Sequence, residues 1–228
     1  MRAAILQMTS GDDPAANLDV ILKAVKDAKA GGADMLLTPE VSNCLSSSRR
    51  HQNDVLALED DDATLKAVRA AAAAEGLWVL IGSLALKTED ADGRFANRSF
   101  LIDAAGDIQA RYDKIHMFDV TLSETEAYRE SDGYRPGAAA VLGETPWGKI
   151  GLSICYDLRF PHLYRALAQG GASILTVPAA FAKRTGEAHW HTLLRARAIE
   201  TGCFVLAPAQ CGSHGGGTGA LRQPYGHA

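Results

Sequence analysis

The sequence predicts one α/β domain built around mixed sheets, on three observations. Strand-like apolar runs alternate with helical patterns toward both ends of the chain, hairpin signals occupy its middle, and no Pro/Gly/Ser-rich linker divides the 228 residues. A hydrophobic content of 47% suits a globule of this length with a sizeable core.

The elements follow in order. Arg2 to Met8 is a short apolar run. After a polar turn, Leu18, Ile21, Leu22 and Val25 recur at helical spacing, and "ADMLLTP" then reads as a second strand. The helix pattern "ATLKAVRAAAAAEG" ends at Gly76, a residue suited to a left-handed cap, and leads into the strand "LWVLIGSLAL". Between Lys87 and Tyr112 the turn pairs Asp92-Gly93 and Gly106-Asp107 separate the runs "NRSFLID" and "IQARYD", which predicts antiparallel pairing. The polar segment 119–137 exceeds an ordinary connection and reads as a functional or mobile loop. "AAAVLGETPWGKIGLSI" then supplies a hairpin turning at Pro146 to Gly148. A helix opening at Pro161, the strand "ASILTVP", the helix "WHTLLRARAIE" and the strand "CFVLAP" follow. The glycine-rich "GSHGGGTGA" lacks the Gly-Lys-Ser/Thr ending of a phosphate loop and reads as a mobile loop.

Composition narrows the function. A formal net charge of −4 without a Lys/Arg cluster gives no footprint for nucleic acid. No apolar stretch approaches the roughly 20 residues that span a bilayer, and "MRAAILQMTS" lacks the parts of a secretion signal, so a cytoplasmic protein is expected. Cys44, Cys155, Cys203 and Cys211 form no C-x-x-C pair and no zinc-ribbon spacing, which predicts reduced thiols.

In open α/β sheets, ligand-handling residues gather beyond the carboxyl ends of strands. Three reactive side chains end apolar runs: Glu40 after "DMLLTP", Lys114 after "IQARYD" and Cys155 after "KIGLSI". By residue type alone Cys155 reads as a small buried residue, and Glu40 and Lys114 as solvated surface groups. Position makes Cys155 a candidate nucleophile, because a strand-to-helix turn offers backbone N–H groups that lower a thiol's pKa and bind an oxyanion. No histidine offers itself as its base. His189 and His191 face different ways on a helix, His116, His162 and His214 have no companion motif, and H-E-x-x-H is absent. A carboxylate base with a lysine is the remaining complete set for acyl transfer.

Three blocks in order carry a resemblance: "LLTPE" (36–40), "YDKIHMFD" (112–119) and "GLSICYDLRFPHLYRALAQGGASIL" (151–175) are similar to the signature blocks of the nitrilase superfamily of carbon–nitrogen hydrolases. The resemblance implies an α-β-β-α sandwich. It also implies Glu40 as general base, Lys114 as the oxyanion-stabilising lysine, Cys155 as nucleophile and the Tyr156 amide as part of the oxyanion hole. "YRESDGYRPG" resembles the segment carrying a second glutamate, which points to Glu130, with Glu124 and Glu126 nearby. "FAKRTGEAHWHTLLRARAIETGCFVLAPAQCG" resembles the branch containing deaminated glutathione amidase more than that of omega-amidase.

The expected activity is therefore a thiol-dependent amidase that needs water but neither metal nor organic cofactor and passes through a thioester. Its expected substrate is deaminated glutathione or a similar 2-oxoacid amide. Omega-amidase and N-carbamoyl amino acid hydrolase are the alternatives within the class, and a non-catalytic binding or scaffold member of the fold is the alternative outside it. The resemblance further implies a homodimer or higher homo-oligomer, with Arg195 and Arg197 serving assembly. "YGHA" (225–228) resembles the start of a longer family segment, so the single domain 1–228 is expected either to be a fragment of a longer protein or to lack the family's C-terminal strands and tail.

Overall fold

The computed structural model describes residues 1–121, 124, 127–214 and 224–226. Glu126, most of the glycine-rich stretch read as a mobile loop (residues 215–220) and the last two residues of "YGHA" lie outside the described residues.

The first half alternates strand and helix as expected. β1 (Ala3–Ile5) leads to α1 (Pro14–Ala30), which starts at Pro14 with the Asp13 carboxylate accepting the Ala15 N–H at 2.9 Å. After β2 (Met35–Leu37), α2 (Arg49–Val55) is an element the sequence pattern does not announce, because Gln52 is its only buried residue. α3 (Ala63–Glu75) is capped by Asp62 at one end and by left-handed Gly76 at the other. β3 (Trp78–Leu86), β4 (Ala96–Ile102) and β5 (Ile108–Asp113) complete a five-stranded sheet in the order β1-β2-β3-β4-β5, parallel through β3 and antiparallel beyond it.

Residues 119–137 are not a plain loop. β6 (Asp119–Thr121) and β7 (Ala127–Arg129) pair antiparallel, and a short 3-10 turn at Glu130–Asp132 follows. The second large sheet runs β11-β10-β9-β8, with β8 (Leu142–Thr145) antiparallel to β9 (Gly148–Leu152) and parallel pairing onward through β10 (Ala172–Thr176) to β11 (Phe204–Leu206). Between β9 and β10 lie a 3-10 turn, Cys155–Arg159, and α4 (Pro161–Gln169). α5 (Lys183–Thr201) begins seven residues before the predicted helix pattern: its opening turns are polar, and their one buried residue, Gly186, lies under the Tyr225 ring.

Alternation along the strands builds the layers. Leu36, Val79, Ile81, Phe100 and Ile102 join Ile21 and Val25 of α1 and Leu65 and Val68 of α3 in one core. Their neighbours Met35, Leu37, Leu80 and Leu101 point the other way and meet Ile150, Leu152 and Ile174 of the second sheet. The far face of that sheet is covered by α4, with Leu167 and Leu175 closing on Gly151. The result is the α-β-β-α sandwich, with α1 and α3 outside one sheet and α4 and α5 outside the other.

Arg197 corrects one expectation. It is turned inward at 5% exposure, and its Nε and Nη2 donate to the Leu158 carbonyl at 3.0 and 2.9 Å, so it braces its own chain; Arg195 is exposed.

β3 passes close to the turns after β2 and β10 at Gly82. A methyl group there would overlap the Thr38 carbonyl oxygen and lie 2.5 Å from both the Pro178 Cβ and the Pro39 carbonyl oxygen. Gly82→Ala is expected to lower stability by about 1–3 kcal/mol through overpacking, and to displace the turn that follows β2; urea denaturation of the purified variant measures this.

Candidate active site

Four strand exits converge on one cavity of about 1,060 Å³. Glu40 lies in the turn after β2, Lys114 directly after β5, Cys155 in the 3-10 turn after β9, and Ala180 beyond β10. Glu130 arrives from the β6–β7 hairpin. All four predicted side chains, Glu40, Lys114, Cys155 and Glu130, line the cavity floor, while Phe118, Tyr128, Tyr156 and Phe181 supply aromatic walls.

The centre of the site is the Lys114 ammonium, which is 2% exposed. It donates to Glu40 Oε1 at 2.8 Å and to both Glu130 oxygens at 2.9 Å. Glu40 Oε1 also accepts from Asn97 Nδ2 at 2.9 Å, and Oε2 accepts the Ala180 N–H at 2.8 Å. Glu130 Oε2 accepts the Phe118 N–H at 2.6 Å, which holds the hairpin end against the site. Buried charges are tolerated only when paired and hydrogen-bonded in this way.

Electrostatics sort the protons. Burial alone would push the Glu40 carboxyl up, but the Lys114 charge and hydrogen bond, with smaller help from Cys155 and the Ala180 amide, hold it below the usual carboxylate range. Burial works against the Lys114 ammonium too, yet the Glu130 and Glu40 charges keep it protonated far above an ordinary lysine. The Cys155 thiol is the reverse of the sequence expectation. Burial first, then the neighbouring Glu40 charge, pushes its pKa well above the ordinary thiol value and outweighs Lys114. The resting pair is therefore a neutral thiol beside a carboxylate, a proton donor facing its base.

Backbone geometry aims both groups. Cys155 has φ of +48° and Val41, next to Glu40, has φ of +45°, a conformation costly for residues with a Cβ and commonest at functional sites. Val41 is held by its N–H donating to Ser83 Oγ at 2.8 Å, and the Glu40 carbonyl accepts from Gln210 Nε2 at 3.0 Å. Tyr156 is near the start of the 3-10 turn, where its N–H, between a Cys155 N–H given to the Pro178 carbonyl and an Asp157 N–H given to the Ile154 carbonyl, is placed to meet an oxyanion. Cys44 and Cys203 are buried free thiols and Cys211 is half-buried; Cys203 donates to the Ala172 carbonyl.

Sequence reasoning passed over two side chains that touch this machinery. Asn97 in β4 bonds Glu40 and, at 3.4 Å, Glu130. Asp157, two residues past Cys155, is fully buried. Both sit in motifs of ordinary strand and turn character, and only the fold brings them to the site. Among the described residues no cluster of His, Cys, Asp and Glu is placed to hold a metal ion, and no helix is long and apolar enough to cross a membrane.

A thiol, carboxylate and ammonium gathered at the junction of an α-β-β-α sandwich is the arrangement of an acyl-transfer hydrolase, and the pattern of the carbon-nitrogen hydrolase family matches residues 2–228: the chain belongs to that family. It is 43% identical to the deaminated glutathione amidase of Yersinia enterocolitica over 98% of this chain and 77% of that protein. The solved NitFhit protein of C. elegans superposes with a TM-score of 0.90 at 35% identity, covering 99% of this chain and 54% of that one. An amidase variant from Nesterenkonia sp. AN1, carrying acrylamide added to its active-site cysteine, matches with a TM-score of 0.80 at 26% identity over 98% of this chain and 82% of that one.

Two outcomes are expected. Lys114→Met strips the buried Glu40 and the half-buried Glu130 of the cation they share and should cost about 3–5 kcal/mol at neutral pH. A carboxyl whose folded pKa is depressed contributes stability above its unfolded pKa and loses it as pH falls through the folded value. The gap between wild type and variant should therefore narrow on acidification, as denaturant titrations across pH would record. Separately, iodoacetamide labelling of Cys155 should keep rising into the alkaline range; a plateau already reached at mildly acidic pH would show a preformed thiolate instead.

Proposed function

We propose that the chain is a thiol-dependent amidase and that the Glu40–Lys114–Cys155–Glu130 cluster is its catalytic centre. The observation that carries this reading is the convergence of the Cys155 thiol, the Glu40 carboxylate and the Lys114 ammonium bonded to it at 2.8 Å on one cavity. Glu40 takes the thiol proton as sulfur attacks the amide carbonyl, so no free thiolate need accumulate. The carbonyl electrons move to oxygen, and the Lys114 ammonium with the Tyr156 amide stabilises that oxyanion. The tetrahedral adduct collapses, the C–N bond breaks, and the amine leaves with the proton held by Glu40. A thioester remains on Cys155. Water then gives a proton to Glu40 and attacks the thioester, and the acid departs as the thiol is restored. Glu130, bonded to Lys114 through both oxygens, holds the ammonium and faces the incoming water or amine. The cysteine adduct in the Nesterenkonia amidase supports a nucleophilic thiol in this fold.

The substrate we propose is deaminated glutathione, cleaved to 2-oxoglutarate and cysteinylglycine, after the relative of that name. Such an amide carries a carboxylate at each end, and the basic side chains of Arg129, Lys183 and Arg184 line the same cavity. A homo-oligomer remains part of this reading.

Product release from deaminated glutathione, 2-oxoacid amides, N-carbamoyl amino acids and simple nitriles tests it. Wild type should cleave deaminated glutathione fastest, and Cys155→Ala should lose all turnover while unfolding at the wild-type temperature. Turnover unchanged in Cys155→Ala would refute the mechanism, and preference for another class would refute the substrate alone.

A further inference from the structure

Asp157 stands out as a fully buried carboxylate without a role in the chemistry above and without a cationic lysine or arginine bonded to it. Its four hydrogen bonds, from three residues, are unusual for where those residues lie in the chain. Oδ2 accepts the Ile154 N–H at 2.9 Å and the Tyr112 hydroxyl at 2.7 Å. Oδ1 accepts the His116 backbone N–H at 3.0 Å and pairs with His116 Nδ1 at 2.7 Å. Ile154 immediately precedes Cys155, while Tyr112 and His116 stand two residues either side of Lys114. One carboxylate thus ties the backbone that presents the nucleophile to the strand end that presents the ammonium.

The surroundings leave this carboxylate little freedom. The His116 ring stacks on Phe160 at 3.5 Å with the planes 9° apart, so the group that accepts or donates at Oδ1 is itself fixed. Arg197 holds the next residue, Leu158, by two hydrogen bonds to its carbonyl. Tyr112 is buried, and its hydroxyl is committed to Asp157. The 3-10 turn is consequently clamped from β5 on one side and from α5 on the other, and the Tyr156 amide lies inside the clamp.

We propose that Asp157 is a positioning residue that sets the separation between the Lys114 ammonium, the Cys155 sulfur and the Tyr156 amide. It touches neither substrate nor reacting atoms. Its effect is exerted through the two backbone segments it joins, and it should appear in the transition state, where oxyanion donors must lie within hydrogen-bond reach of a developing charge. Misplacement of about 1 Å in such a constellation can cost on the order of 100-fold in rate. Substrate affinity depends on the cavity walls and should change little. The inference rests on the amidase reading of this cluster.

Asp157→Asn is the test. The amide retains one acceptor oxygen and replaces the other by an N–H donor that must face a hydroxyl, a backbone N–H or the histidine. With deaminated glutathione as substrate, kcat should fall about 10- to 100-fold with KM within about threefold of wild type. Tyr112→Phe, which removes one bond of the four and leaves the carboxylate in place, should fall between wild type and Asp157→Asn in kcat, again without a KM change. Thermal unfolding followed by circular dichroism establishes that each variant is folded. A folded Asp157→Asn protein with wild-type kcat, or a loss confined to KM, would overturn the proposal. Should Asp157→Asn fail to fold, Tyr112→Phe decides: wild-type kcat in that variant overturns the proposal too. If wild type itself cleaves no amide in the panel, the amidase reading is what fails. The iodoacetamide rate at Cys155 then still judges the positioning role, with a rate for Asp157→Asn that differs from wild type at a common pH expected and an equal rate overturning it.

Discussion

A lysine ammonium removed from water organises this molecule. Lys114 has no solvent to hydrate its charge, so acceptors must be brought to it, and they come from segments far apart in the chain: Glu40 beyond β2 and Glu130 beyond β7. Those carboxylates, one buried and one half-buried, need donors of their own, which Asn97, Ala180 and Phe118 provide. Each requirement fixes another strand exit. The two large sheets and the small hairpin sheet have to end where they do because one cation is satisfied there. The pairing is weak evidence for net stability, since an apolar replacement of the whole set can be as stable. Its value lies in a fixed geometry and a fixed distribution of protons.

In the mechanism proposed above, that distribution is how a base weaker than histidine would serve a thiol. In water a carboxylate would hardly take a proton from a cysteine, because their pKa values lie roughly four units apart. The site does not remove the difference at rest; burial and the Glu40 charge widen it by raising the thiol. What changes during reaction is the destination of the charge. Once sulfur bonds to carbon, the negative charge passes to the carbonyl oxygen, which Lys114 and a backbone N–H can face, so proton loss and bond formation assist one another. A thiol held neutral until a carbonyl arrives is also less open to stray oxidation and alkylation, which follow thiolate character and exposure.

Much of this was legible in the sequence, for identifiable reasons. The strands and helices with strong periodicity appear close to where the pattern puts them, and Gly76 ends its helix in the left-handed conformation. Glu40, Lys114 and Cys155 were visible as a group because reactive side chains that close apolar runs are set at strand exits, and the structure brings all three to one cavity. Glu130 needed the resemblance, since nothing in a polar segment separates it from Glu124. α2 escaped because it shows almost no buried face, and the early start of α5 because its first turns are polar. Asn97, Asp157 and Arg197 were illegible in principle: the contacts that tie each to the site or its turn reach segments far away in the chain, and residue type says nothing of them. The direction of the Cys155 shift was misjudged for a related reason. A turn's N–H groups favour a thiolate, but the burial and the carboxylate that outweigh them are created by the fold.

The two residues of positive φ show what that fold supplies in return. A β-branched side chain at φ of +45° and a cysteine at +48° each carry a backbone cost of about 1–3 kcal/mol, and neither position would hold in a free peptide. Both are over-determined. Val41 is pinned through its N–H to Ser83 in β3 and lies next to a carbonyl held by Gln210. Cys155 donates its own N–H to the Pro178 carbonyl at the exit of β10, while the flanking Ile154 N–H is taken by Asp157. Ser83 belongs to β3, whose side chains fill the cores on both faces of the first sheet, and Pro178 follows directly on β10, whose Ile174 packs between the sheets. The cost of bending the chain toward the cavity is therefore offset by burial remote from it, and the turns need not move when a substrate enters. A site that is rigid before binding spends none of the substrate's binding energy on ordering itself, which leaves that energy for bringing the carbonyl against the sulfur.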